Sequence, residues 1–132
     1  MGKSPAMPPP IWKKPISVSG ELVRYDNKLI STIRVGEKPF ELSEGENLDD
    51  ILRQTAEHVY KCLKPTILAE YYFTNKKYLD CLEIIKLITS KEPKGDDVFA
   101  YSLWGYIFER QKKYEDAIEK FQKAIEIDPK SA

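Results

Sequence analysis

His58 and Cys62 stand four residues apart, a spacing that on a helix sets an imidazole and a thiol on one face and offers two ligands to one metal ion. A closed site needs two more ligands, and the only other cysteine is Cys81. The pair therefore reads as a partly exposed histidine and an inert thiol, with no metal and no cofactor. Nucleophilic catalysis meets the same limit. His58 is the single histidine, so a Ser-His-Asp or Cys-His site must use it, and the chain contains neither a Gly-x-Ser-x-Gly elbow nor a glycine-rich phosphate loop. The carboxylates Asp49, Asp50, Asp96 and Asp97 fall at predicted helix starts, where the positive end of the dipole explains them. The expectation is a protein without catalytic residues, not an enzyme.

Lys76 and Lys77, and again Lys112 and Lys113, could form a basic ridge for an acidic partner or for RNA phosphates. No stacking aromatics interleave them, so they read as lysines solvating a turn. Twenty-one basic residues balance 21 acidic ones, which leaves no long-range field for nucleic acid or anionic lipid. No apolar run approaches the roughly 20 residues that cross a bilayer. The N-terminal stretch MGKSPAMPPPIWKKP lacks the apolar core of a secretory signal. Two cysteines do not make a disulfide framework, so the expected setting is cytoplasmic, with neither nucleic acid nor membrane as partner.

Residues 1–15 carry Pro5, Pro8, Pro9, Pro10 and Pro15, and predict an extended or disordered arm, read as an interdomain linker in preference to a ligand for a proline-recognising domain. Two β-branched segments, 16–25 and 28–35, flank Asp26 and Asn27, residues that tolerate the positive φ of a two-residue hairpin turn. That register pairs Val18 with Val35 and Leu22 with Ser31. It gathers Val18, Leu22, Leu29, Ile33 and Val35 on one face. Gly36 turns the chain into a third strand around residues 40–42, with Pro39 suited to an edge. Leu48, Ile51, Leu52, Thr55, Val59 and Leu63 recur at helical spacing, predicting a helix over 48–63 that Pro65 stops. Residues 16–64 thus form a small β-sheet plus helix.

The rest of the chain matches itself at a shift of 36 residues. NKKY at 75–78 lies over QKKY at 111–114, Leu68 and Ala69 over Trp104 and Gly105, Tyr72 over Phe108, and Ile85 over Phe121. Pro93 and Lys94 lie over Pro129 and Lys130. A fixed period of this length marks a solenoid. Helices are predicted over 65–74, 78–91, 97–111 and 114–127, with Asp97 capping the third.

Tyr101, Trp104, Gly105, Phe108, Tyr114, Ala117, Phe121, Ala124 and Pro129 stand at the spacings of a tetratricopeptide repeat, and the second copy resembles that family closely. The first copy, about 62–95, is degenerate: Pro65 replaces an aromatic and Cys81 an alanine, and Gly95 lies in a lengthened linker. The resemblance implies an α+β chain in which the sheet precedes two helical hairpins over residues 65–132, the second at 98–131. It also implies a protein or peptide as partner, contacted by Phe99, Ser102, Tyr106, Glu109 and Arg110 in the second repeat. The matching positions in the first are Leu63, Thr66, Glu70, Phe73 and Thr74. Ser102 and Tyr106 replace the lysine and asparagine with which certain members clamp a terminal carboxylate. The segment GELVRYDNKLISTIRVG is similar to strand-turn-strand segments preceding such repeats in bacterial multidomain signalling proteins. The expected function is a scaffold or adaptor segment of a larger protein. The alternative is a regulatory or oligomerisation fragment of a larger bacterial signalling enzyme whose catalytic domain is absent from this chain. A homodimer through the uncapped last hairpin is a further expected partner.

Overall fold

The computed structural model describes residues 15–90 and 96–130. The expectations for the proline-rich arm up to residue 14, for Pro93, Lys94 and Gly95, and for Ser131 and Ala132 lie outside the described residues. Three strands, β1 (Val18–Tyr25), β2 (Lys28–Val35) and β3 (Glu41–Gly45), precede five helices. These are α1 (Leu48–Leu63), α2 (Pro65–Thr74), α3 (Tyr78–Thr89), α4 (Asp96–Arg110) and α5 (Tyr114–Ile127). The α+β class and the helical hairpins are as the sequence implied. The chain divides into two compact units between Thr55 and Ala56, within α1.

The first unit is an antiparallel sheet in the order β1-β2-β3. Val18 pairs with Val35 and Leu22 with Ser31, the register the sequence predicted. Asp26 takes the positive φ of the turn, at 54°. On β2, Leu29, Ser31 and Val35 are buried, and Ile51 from α1 is fully so. Burial stops there. Every residue of β1 is exposed, and Val18 and Leu22, assigned to the covered face by sequence, remain 45% accessible. The third strand lies slightly later than expected. Phe40 precedes it, exposed, with the Arg34 guanidinium 5.4 Å from its ring centroid. Gly20 has a specific reason to lack a side chain, since a Cβ there would fall on the Thr32 carbonyl oxygen of β2.

Polar chemistry fixes the start of α1. The Asn47 side chain accepts the Asp49 N–H at 2.8 Å and its carbonyl accepts the Ile51 N–H, so Asn47 is the cap. Buried Ser31 is satisfied from the same helix. The Thr55 hydroxyl donates to the Ile51 carbonyl at 2.7 Å, which leaves its lone pairs to accept the Ser31 hydroxyl at 2.9 Å.

The second unit repeats one design. Pro65 opens α2, where a missing N–H costs nothing. Both α2 and α4 end through a residue with left-handed backbone: Lys76 at φ 59° and Lys112 at φ 61°. Lys77 N–H bonds the Tyr72 carbonyl and Lys76 N–H that of Phe73, and Lys113 and Lys112 repeat this with Phe108 and Glu109. Each is the paired closure in which glycine is the usual left-handed residue. The internal repeat is thus visible in the backbone, and its four lysines are exposed turn residues. Lysine at the left-handed position carries a steric cost of about 1–2 kcal/mol, part of which glycine returns as unfolded-chain entropy. Lys112→Gly is therefore expected to stabilise the unit by about 0.5–1 kcal/mol, read as a rise in melting temperature.

One expectation at the second hairpin is corrected. The helix begins at Asp96, and Asp97 lies inside its first turn, buried, so it is not the cap. Its carboxylate still sits near the positive dipole end. The core runs between the hairpins: Leu68 and Ala69 of α2, Cys81, Ile84, Ile85 and Ile88 of α3, and Ala100, Leu103 and Ile107 of α4.

Candidate interaction surface

The second hairpin closes on its small residues. Gly105 of α4 lies under the Phe121 ring of α5, and a Cβ at this position would come within 2.6 Å of it. Ala117 is buried at the same crossing. Phe121 meets Tyr106 edge-on, with centroids 5.2 Å apart. Along the other side of α4, Tyr101 stacks on Trp104 and Trp104 leans on Phe108. Helix α5 sets lysines over this stripe: Lys120 Nζ stands 3.8 Å from the Trp104 centroid, and Lys123 lies 5.6 Å from Tyr101. Burial first, and the neighbouring Lys123 charge second, hold the Lys120 pKa below the ordinary lysine value. Cation–π contact offsets part of that desolvation.

On the outer side of this hairpin an open groove of about 410 Å³ runs between α4 and α5. Val98, Ser102, Tyr106 and Glu109 form one wall, and Phe121, Ala124 and Ile125 the other. Of the residues assigned to partner contact, the groove brings together Ser102, Tyr106 and Glu109. It does not include the rest. Phe99 packs half-buried against the core between the hairpins, as does Phe73. The Arg110 guanidinium lies 5.8 Å from the Phe73 ring centroid. Thr66 is half-buried on α2, while Glu70 and Thr74 are exposed there. Leu63 ends α1 and precedes α2, so it is not on the first hairpin at all. The α5 wall of the groove was only partly legible. Ala124 stands at one of the repeat positions, while the repeat pattern does not mark Ile125. The spacing of Ile118, Phe121 and Ile125, three and four residues apart, was the available signal for an outward apolar stripe.

The helical spacing of His58 and Cys62 does bring imidazole and thiol together. Cys62 Sγ lies 3.7 Å from His58 Nε2. Among the described residues, no three of histidine, cysteine, aspartate and glutamate gather as a metal site. Cys81 is fully buried and donates to the Ala69 carbonyl at 3.2 Å. Burial pushes its pKa up from 9.0 to about 12. The Tyr72 phenol also rises from 10.0 to about 12, through burial first and then the charge and hydrogen bond of Glu57.

A thiol held neutral is unreactive. Disulfide-exchange reagent at pH 8 should therefore modify Cys62 in the native chain and reach Cys81 only after denaturation. The same shifts set the alkaline limit. Both groups favour their neutral forms in the fold, so their contribution is intact below about pH 9 and is lost as pH climbs toward 12. Urea midpoints measured from pH 8 to 11 should fall monotonically, and Cys81→Ala should flatten the slope.

Paired antiparallel helices with a matched closure, a small-residue crossing and a shared core define a helical-repeat protein. Residues 98–131 match the family model of the tetratricopeptide repeat, and this hairpin is such a repeat. Tetratricopeptide repeats are protein-interaction modules, typically non-catalytic, which bind proteins or peptides. Comparison with curated proteins and with solved structures returned no match. Among the described residues no helix is long and apolar enough to cross a membrane.

Proposed function

We propose that this chain is a scaffold or adaptor segment, working in the cytoplasm, that binds a peptide or a neighbouring domain through its second hairpin. The observation that carries this reading is the groove between α4 and α5, which presents an aromatic pair, aliphatic residues and one carboxylate to solvent. Apolar floor with a sparse polar rim is the chemistry of peptide recognition. Ser102, Tyr106 and Glu109 carry the contact, with Phe121, Ala124 and Ile125 supporting it. Thr66, Glu70, Phe73, Phe99 and Arg110 serve the face shared with the first hairpin. In this organisation residues 16–64 form the sheet segment and 65–132 the two hairpins.

The test is selection of peptides from a displayed library on the whole chain, followed by titration into isotope-labelled protein. Shifts centred on Ser102, Tyr106 and Ala124, with binding lost in Tyr106→Ala, are expected. Selected peptides that shift only the sheet, or whose affinity Tyr106→Ala leaves unchanged, would refute the reading.

A further inference from the structure

The sheet of the first unit has a free edge whose sequence is complementary to itself. The Gly36 N–H bonds the Ser17 carbonyl, and hydrogen-bonded pairs alternate along an antiparallel ladder from there. Ser19, Glu21, Val23 and Tyr25 therefore direct their peptide groups at β2, while those of Val18, Gly20, Leu22 and Arg24 point away from the sheet. β1 carries neither lysine nor proline, the residues that commonly guard an edge. The same edge borders an unfilled cleft of about 290 Å³, walled by Val18, Gly20, Leu22 and Ile33 of the sheet and by Ile51 and Leu52 of α1. Val18, Leu22 and Leu52 are exposed there.

A strand that pairs antiparallel with its own copy does so about a two-fold axis, which sets one residue opposite itself. An axis at Glu21 would oppose two carboxylates, and one at Val23 would leave Val18, Ser19 and Gly20 beyond the end of the partner strand. An axis at Leu22 pairs the strand from Ser19 to Tyr25. It sets Gly20 opposite Arg24 and Glu21 opposite Val23, so no like charges stand face to face. Opposed residues share a face of the sheet, and Leu22 lies on the face that carries α1, since its β2 partner Ser31 bonds Thr55. Leu22 of the second copy then closes the open side of the cleft. The aliphatic stem of that copy's Arg24 crosses Gly20, where no side chain stands in its way.

We propose that two copies of this chain join through β1, antiparallel and two-fold about Leu22, into one continuous sheet with both α1 helices on the same face. The proposal goes beyond the hairpin function, since it concerns the other unit and holds whatever the hairpin binds. Pairing along one strand covers less than the roughly 1,200 Å² of a standard interface, so the pair forms reversibly.

Sedimentation velocity of the full chain across the micromolar range tests this, with a concentration-dependent monomer–dimer equilibrium expected. Leu22→Lys and Leu22→Glu, at an exposed position, should leave the melting temperature of the dilute chain in place. Each should raise the dissociation constant at least about ten-fold, because the axis brings like charges together. An equimolar mixture of the two variants should dimerise again, a recovery that only a contact of residue 22 with itself produces. Ile125→Lys, on the exposed side of α5, should leave the dimer intact. A chain that stays monomeric throughout the range overturns the proposal. So does a dimer that the Leu22 variants leave unchanged, or a mixture of them that stays monomeric. A dimer dissolved by Ile125→Lys overturns it as well, since the contact then lies on the last hairpin.

Discussion

Replacing Ile107 with alanine is expected to cost about 3–4 kcal/mol, among the larger losses a single truncation can cause in the helical unit. Ile107 is fully buried, and it sits in α4 where that helix meets both helices of the first hairpin. Truncation removes contacts to α2 and α3 together, and neither wall can collapse without breaking the other's packing. A unit of this size holds about 4–12 kcal/mol in total. The variant should therefore melt more than about 12 °C below the parent. Ile118→Ala is the control, because Ile118 is 55% exposed and its loss should change stability by less than about 0.5 kcal/mol. Similar costs for the two substitutions would mean that α4 does not join the hairpins as described.

Gly105→Ala should destabilise by about 2 kcal/mol, against the direction of helix propensity. In an open helix the change would stabilise by about 1 kcal/mol. Here the added methyl would lie within 2.8 Å of three Phe121 ring atoms, so either the ring leaves its place or α4 and α5 separate. Overpacking of this kind costs about 1–3 kcal/mol, and an approach of 2.6 Å puts it at the upper end, so that about 2 kcal/mol remains after the propensity gain is subtracted. The ring is half-buried and lines the groove, so the easier escape is into the groove itself. Two measurements check this. Thermal melting of Gly105→Ala, Phe121→Leu and the double variant should give a double-mutant coupling above about 1 kcal/mol, with the double variant recovering much of the loss. Groove-directed peptides should also bind Gly105→Ala more weakly than its stability loss explains.

The sequence read best where one residue answers one local question. Alternation and the Asp26–Asn27 turn gave the β1–β2 register, because a one-residue slip would turn every apolar side chain to the other face. The spacing of Gly105, Ala117 and Phe121 gave the second hairpin, because only small residues permit that crossing. It read less well where the answer depends on a neighbour. Periodicity assigns Val18 and Leu22 to the helix-facing side of the sheet, yet it cannot say how far α1 reaches, and burial ends at β2. Asp97 looked like a cap, but a cap is defined by where helical backbone begins, one residue earlier than periodicity placed it. The partner-contact set split for the same reason. Phe99 and Arg110 share a helix with Ser102 and Tyr106, but the neighbouring hairpin draws the first two toward itself and leaves the others in the groove.

The exposed strand β1 has a consequence for how the molecule behaves in quantity. It is one of the two outer strands of its sheet, eight residues long, and it shows Val18, Leu22, Val23 and Tyr25 to solvent. Alternate peptide groups along such a strand have no partner in the sheet, so they template the addition of another chain. Within β1, the charges of Glu21 and Arg24 oppose strand-to-strand growth. At high concentration β1 therefore offers a place where chains can add edge to edge, and Leu22→Lys is expected to reduce that association, read as a fall in light scattering.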